Sequence, residues 1–444
     1  MTYEEAVEYM SGLRETGRVG ARTNRDRFQA LMERLGNPHR KMRCVHVAGT
    51  NGKGSTVALI TSVLRQAGYR TGTYLSPHVF DLRERVQVDG SPIPREDFTR
   101  QVAAIRPHIE ALAETPYGQT PEFELKTAVA FRYFAEVGVD VAVIEVGIGG
   151  RLDATNVIPP PLVAVITQIG WDHMHLLGDT LGKIAAEKAG IFKTGTLGVT
   201  GEPPGEALDV IRQAAAERGV PLNETREAGA PDEADALAVY TRHRDGTVTI
   251  RLPSVILAEL RLTLRGAFQA ANTATAAAAA EVLRRERGLT ISDDALRAGL
   301  EQAFLPGRFQ ILRPQPDGPT LVLDAAHNAD GAKILADALR NEWGAQKRYT
   351  FVFGSSKGHP PGSFLEVIAP LAKRVVATAP TFRPTPAEET AQAAQQAGLP
   401  VNLVSSVADA IRQTFAVGSS DDVIVVTGSF YVVGGTPEEL RGKV

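Results

Sequence analysis

Val45-His46-Val47-Ala48-Gly49-Thr50-Asn51-Gly52-Lys53-Gly54-Ser55-Thr56 is an apolar strand that runs into a glycine-rich turn carrying one lysine and several hydroxyls. An amphipathic helix is expected to follow, from Val57 to about Ala67. Glycines let the backbone come close to a ligand without a Cβ in the way, so successive N–H groups and the helix N-terminus can converge on an anion. Lys53 adds a compact positive charge, which makes Thr50, Asn51, Gly52, Lys53, Gly54 and Ser55 candidate phosphate-binding residues. The spacing is a variant of the strict G-x-x-x-x-G-K-[ST] pattern: Val47 stands where the first glycine belongs, and Gly54 separates Lys53 from Ser55. The plain alternative is a tight strand-to-helix turn.

At 444 residues the chain exceeds the usual size of a single core, so two domains are expected, 1–303 and 304–444. A net charge of −3 leaves no electrostatic footprint for nucleic acid or an anionic membrane surface. The single cysteine, Cys44, cannot form an internal disulfide and adjoins an apolar strand, which suits a buried thiol in a reducing compartment. The acidic start MTYEEAVEYM has no apolar signal region, and the run Thr275 to Ala280 is too short to span a bilayer. A soluble, cytoplasmic protein is expected.

Working outward, residues 1–43 read as helical and charged, and a second strand is expected from Tyr69 to Leu75, ending at Ser76-Pro77-His78. Leu82 to Pro94 reads as a small excursion before a helix from Glu96 to Leu112. The helix Glu124 to Val137 leads into the most apolar strand, Val139 to Val146, and the loop Gly147-Ile148-Gly149-Gly150-Arg151-Leu152-Asp153. A dinucleotide fingerprint fails there at Leu152, where the third glycine should stand. Glu145 is the informative residue, because a carboxylate inside a buried parallel strand is costly unless it is metal-bound or ion-paired. The strand Leu162 to Ile166 ends in Trp171-Asp172-His173-Met174-His175, whose histidines and aspartate read as ligands, acid/base groups or loop caps. Regular strand–helix alternation predicts an α/β fold with a doubly wound, mostly parallel sheet.

From Leu237 to Leu264 the pattern turns to short alternating runs, Val248 to Leu252 and Ala258 to Leu264, which predicts a small antiparallel edge. A helix from Gln269 to Arg287 opens near Asn272-Thr273, a pair that by itself reads as a cap. The alternation starts afresh around Pro306-Gly307-Arg308-Phe309-Gln310. Strands are then expected at Thr320 to Leu323, Tyr349 to Phe353, Arg374 to Thr378, Val401 to Val404 and Val423 to Val426, giving a smaller Rossmann-like second domain.

In joint order, the segments LGNP (from Leu35), HVAGTNGKGS (from His46), Ser76-Pro77-His78, EVGIGGRLDATN (from Glu145), Asp172-His173, EKAGIFK (from Glu187), PGRFQ (from Pro306) and DAAHN (from Asp324) resemble the Mur-type ATP-dependent amide ligases, in their dihydrofolate synthase/folylpolyglutamate synthase branch. The resemblance implies that Thr50 to Ser55 hold ATP's phosphates and that Ser76, Glu145 and His173 bind Mg²⁺. It also implies that Lys188 is carried as a carbamate on a second Mg²⁺, or contacts phosphate unmodified. Asn272, Arg308 and Asp324 match positions that contact ATP, the last two from the second domain, and His327 matches a residue near the incoming glutamate. Phe123, Glu124, Leu152, Asp153 and Ala154 match segments lining a pterin pocket, although Phe123 also suits a plain core aromatic and Asp324 a buried cap. The chain departs from the family at Ser355-Ser356-Lys357-Gly358-His359-Pro360, where glycine replaces an acid and no role is carried over, and Pro159-Pro160-Pro161 looks a residue longer.

The activity implied by the resemblance is amide ligation through an acyl phosphate. Lys53, Lys188 and His327 are its candidate catalytic residues, the substrates are small molecules, and the enzyme is monomeric. Dihydropteroate and tetrahydrofolate are both expected as acceptors, with polyglutamylation alone, or another Mur-type ligation, as the alternative. A cell-wall ligase is disfavoured because its usual N-terminal uridine-nucleotide domain has no room before residue 49, and a guanine-reading switch lacks its Asn-Lys-x-Asp motif.

Overall fold

The computed structural model describes residues 1–13, 21–171 and 173–441, with the backbone alone at 21–24. It divides into two compact units. The first comprises Met1–Pro77, Arg83–Thr263 and Ala270–Ala303; the second comprises Phe304–Val444 together with the short segments His78–Leu82 and Leu264–Gln269.

The first unit is built on β1 (Arg43–Ala48), β2 (Thr71–Tyr74), β3 (Val86–Val88), β4 (Ser91–Pro92), β5 (Val141–Glu145), β6 (Val163–Ile166), β7 (Leu197–Thr200), β8 (Leu222–Glu227), β9 (Ala238–Arg242), β10 (Val248–Arg251) and β11 (Ile256–Leu260). Among the described residues they form one sheet in the order β11-β10-β9-β8-β7-β6-β1-β5-β2-β3-β4. From β9 to β2 every pairing is parallel. Strands covered on both faces read as unbroken apolar runs, which is why Val-Ala-Val-Ile-Glu of β5 and Val-Ala-Val-Ile of β6 are buried throughout.

Both edges turn antiparallel. The edge expected near Leu237 to Leu264 is there, but its last strand is Ile256–Leu260 rather than Ala258 to Leu264, and its pairing with β10 shifts register between Val248 and Ile250. At the other edge the excursion of Leu82 to Pro94 is a short turn, Leu82–Arg85, followed by β3 and β4, which extend the sheet. That segment carries too few alternating residues to be legible as strand.

Helix Lys53–Gln66 leaves the glycine-rich turn with Val57, Leu59, Ile60, Val63 and Leu64 buried, one turn earlier than its apolar pattern alone suggests. It packs against helix Asp293–Gln302. The loops that follow β1, β2, β5 and β6 lie at the same end of the parallel strands, the end where open α/β sheets bind ligands.

In the second unit β12 (Gln310–Leu312), β13 (Thr320–Leu323), β14 (Tyr349–Phe353), β15 (Ala372–Ala379), β16 (Val401–Ser406) and β17 (Val423–Thr427) form a sheet in the order β12-β13-β17-β14-β15-β16. All pairings are parallel except β12 with β13. The antiparallel β12 is an addition to the strands expected from sequence; at three residues it is too short for a period to show. Among the described residues, no helix is long and apolar enough to cross a membrane.

Candidate active site

The turn after β1 is built so that only glycine fits at two places. Gly49 has φ +149° and a Cβ on it would run into Thr167 Oγ1, while Gly52 has φ +87° and a Cβ there would collide with Asn272 Oδ1. Asn272, in the first turn of helix Gln269–Glu286, is thereby brought against the turn. Thr50 N–H donates to the Gln168 carbonyl at 2.8 Å, and Thr167 Oγ1 donates to the Asn51 carbonyl at 2.7 Å, so the residues after β6 brace the turn. The Thr50 hydroxyl lies 3.1 Å from both N and O of Gly170. Thr167, Gln168 and Gly170 carry no ligand-like signature, and only the pairing of β1 with β6 points to them.

Two lysines meet at this turn. Lys53 Nζ donates to the carbonyls of Gly49 and Thr50, each at 3.1 Å, and Lys188 Nζ donates to the same Gly49 carbonyl at 2.7 Å. Lys188 is 3% exposed and arrives from the last turn of helix Leu181–Ala189. Two ammonium groups on one carbonyl at a helix N-terminus make a strongly anion-attracting centre.

Register explains the neighbouring carboxylate. Tyr74, the last residue of β2, pairs with Ile144 of β5, which sets the chain just after β2 beside Glu145 at the end of β5, and Ser76 N–H donates to Glu145 Oε2 at 2.9 Å. Glu145 is 4% exposed. A hydroxyl-bearing residue beside a buried carboxylate supplies the oxygen donors that a hard divalent cation takes, so Ser76 and Glu145 fit such an ion. His173, at φ +45°, stands at the N-terminus of the short helix Met174–Leu177 with its ring 6.2 Å from that of His175. Asp172 lies outside the described residues. Among the described residues no three His, Cys, Asp or Glu side chains form a metal-binding group; the implied set contains only two residues of those types, Glu145 and His173.

A small cavity is lined by Leu152, Asp153 and Ala154 together with Phe28, Glu124 and Arg151. Phe123 joins Asp153 on one side of Gly147, where a Cβ would collide with the Phe123 ring. Glu124 holds Arg27 through two bonds, Nε to Oε2 at 3.0 Å and Nη2 to Oε1 at 2.5 Å; burial raises its pKa against the pull of that guanidinium. Asp153 caps the turn Ala154–Val157, and burial likewise raises its carboxyl.

In the second unit Asp324 accepts from Phe309 N–H and Ala326 N–H, each at 2.9 Å. Burial raises its pKa while Arg308 lowers it. Arg308 lies over the Phe430 ring, 4.8 Å from its centroid, and His327 packs edge-on against His359 at 4.9 Å. Phe430, which the sequence did not mark, and His359, to which it gave no role, are thus neighbours of Arg308 and His327. His359 sits in the loop where the chain departs from its family's pattern, so motif matching could not have found it.

A phosphate-type loop on a parallel sheet, followed by a second α/β unit, is the organisation of the Mur-type ligases: the Mur ligase middle domain matches residues 47–280, and the Mur ligase glutamate ligase domain matches residues 307–430. Within that class the dihydrofolate synthase/folylpolyglutamate synthase of Bacillus subtilis is 37% identical over 441 residues, 99% of either chain. The structure of E. coli FolC in complex with DHPP and ADP superposes with a TM-score of 0.83 at 30% identity, covering 98% of this chain and 96% of that one. The bifunctional folylpolyglutamate synthase/dihydrofolate synthase of Yersinia pestis, complexed with AMPPNP and Mn ion, gives 0.81 at 30% identity, covering 98% and 97%. The chain belongs to the dihydrofolate synthase/folylpolyglutamate synthase family of Mur ligases.

Proposed function

We propose that this ATP-dependent glutamate ligase acts on both dihydropteroate and tetrahydrofolates that already carry glutamate, and that it does so as a monomer. The observation that carries the ligase chemistry is the Lys53 ammonium, held on the Gly49 and Thr50 carbonyls at the N-terminus of helix Lys53–Gln66, with Lys188 reaching the same Gly49 carbonyl. Two anions must meet before an amide can form, ATP's γ-phosphoryl group and the acceptor's carboxylate. Fixed positive charge and backbone N–H groups are most of what phosphoryl transfer asks of a protein.

In this reading Thr50, Asn51, Gly52, Gly54 and Ser55 cradle the triphosphate, with Asn272 fixing the turn's approach, and Arg308 and Asp324 are the further nucleotide contacts that the family resemblance implies. Phosphoryl transfer turns the acceptor carboxylate into an acyl phosphate. The α-amine of L-glutamate, oriented by His327, then attacks the carbonyl carbon, and the C–O bond to phosphate breaks. Ser76, Glu145 and His173 would hold a divalent cation, which would supply further charge neutralisation when bound. Lys188, as its free amine, would condense with CO2 and lose a proton, and the resulting carbamate would hold a second ion in place of the ammonium that donates to Gly49. Phe123, Glu124, Leu152, Asp153 and Ala154 form the pterin-facing wall.

The test is to offer dihydropteroate and tetrahydrofolate separately with ATP and L-glutamate and to weigh the products. One added glutamyl residue on each supports the reading. Product from tetrahydrofolate alone withdraws the dihydropteroate activity, and product from neither overturns the proposal.

A further inference from the structure

His46 belongs to β1, three residues before the glycine-rich turn, and is fully buried. Its Nε2 lies 2.9 Å from Thr155 Oγ1, while its Nδ1 is buried with no hydrogen-bond partner. Thr155 Oγ1 in turn lies 2.6 Å from Asp153 Oδ1. A hydroxyl has one proton, and an ionised carboxylate accepts only, so Thr155 spends its proton on Asp153. The imidazole must then be the Nε2–H tautomer, donating to the hydroxyl. The order is fixed from end to end: imidazole N–H to hydroxyl, hydroxyl to carboxylate.

Asp153 receives more than this. Thr155 N–H donates to Oδ1 and Ile148 N–H to Oδ2, each at 3.0 Å. With the Thr155 hydroxyl, three donors converge on the carboxylate, which as an ion only accepts. Asp153 therefore ties the loop after β5 to the turn Ala154–Val157, and the side chain that reaches it from the middle of the sheet is His46, through Thr155.

We propose that His46 and Thr155 are positioning residues for acceptor binding: an imidazole–hydroxyl chain from the central strand sets Asp153, and through it the Gly147–Ala154 wall that faces the pterin. The inference rests on the reading of Leu152, Asp153 and Ala154 as part of the pterin-facing wall. His46 lies in β1 and Thr155 in the turn Ala154–Val157, both outside the glycine-rich turn, so their removal is expected to weaken the pteroyl ligand and leave the nucleotide alone.

The test uses the full-length enzyme and Thr155→Val, a near-isosteric change that deletes the hydroxyl, with Thr155→Ser as the restoring variant. The dissociation constant for dihydropteroate is read from pterin fluorescence without ATP, and KM for ATP from turnover. Loss of one donor to a buried carboxylate is expected to weaken pteroyl binding about ten- to a hundredfold in Thr155→Val, with KM for ATP within about threefold of the parent and Thr155→Ser close to it. If Thr155→Val does not fold, His46→Leu, which deletes only the outer donor, is expected to weaken pteroyl binding about three- to tenfold with the same sparing of KM for ATP. Unchanged pteroyl binding, an equal rise in KM for ATP, or failure of Thr155→Ser to restore binding would overturn the inference while the pterin reading stands. Parent enzyme that binds neither dihydropteroate nor tetrahydrofolate would remove the pterin reading itself.

Discussion

Lys53 donates to two carbonyls of its own turn, so its charge already helps hold the loop in shape before any nucleotide binds. Lys53→Ala is expected to lower turnover by roughly two to three orders of magnitude, as deletion of one charge donor at a transition state commonly does. Its cost in stability should be no more than about 1–2 kcal/mol for the lost hydrogen bonds. Steady-state rates and thermal melting measured together check this, and near-normal turnover would contradict it. Gly52→Ala should be worse for nucleotide binding than its small size suggests, since it meets both a left-handed φ and the Asn272 amide. Isothermal titration with ADP should show at least about a tenfold loss, equivalent to about 1.4 kcal/mol. Asn272→Gly in the same chain should not restore it, because the φ strain persists. At this scale the sequence displayed the chemistry of the turn plainly, Lys53 and the glycines together. It concealed Thr167 and Gly170, ordinary residues that matter only because β6 lies beside β1.

At the scale of elements, the helix after the turn is held from behind. Gly299 of helix Asp293–Gln302 lies against Val63, where a Cβ would run into backbone atoms. An exposed helical glycine replaced by alanine normally gains about 1 kcal/mol. Here overpacking reverses the sign, and Gly299→Ala should lower stability by about 1–3 kcal/mol. A denaturant melt decides between the two. Strands buried on both faces were the elements most legible in the sequence: Thr320–Leu323 and Tyr349–Phe353 lie where the apolar runs place them, because nothing but burial shapes such runs. The short pieces β3, β4 and β12 were not legible. Two or three residues carry no period, and their pairing is set by neighbours outside the segment itself.

For the whole molecule, buried histidines set a pH dependence of stability. Burial, aided by Arg40 and Lys193, lowers the His39 pKa to about 4, and burial carries His46 well below its ordinary value. In the unfolded chain both take up a proton near pH 6.5, where the folded protein does not, so the unfolded state binds more protons below that pH. Stability from these groups is therefore complete above about pH 6.5 and is lost as pH falls toward 4. The raised carboxyls of Glu124 and Asp153 act in the opposite sense, so the comparison that isolates the effect is wild type against His39→Gln. The wild type should lose more stability between pH 7 and 5, measured by urea unfolding; parallel curves would contradict the assignment. The joint order of short motifs made the two-part α/β organisation and the Mur ligase family legible in the sequence. The contribution of His78–Leu82 and Leu264–Gln269 to the second unit was not, since no local pattern reports which core a loop joins. The central claim is that the acceptor's carboxylate is activated by phosphoryl transfer, and it is tested most directly by labelling that carboxylate with the heavy oxygen isotope and analysing the phosphate released during glutamate ligation. The account predicts one labelled oxygen in each phosphate; unlabelled phosphate released alongside glutamylated product would contradict it.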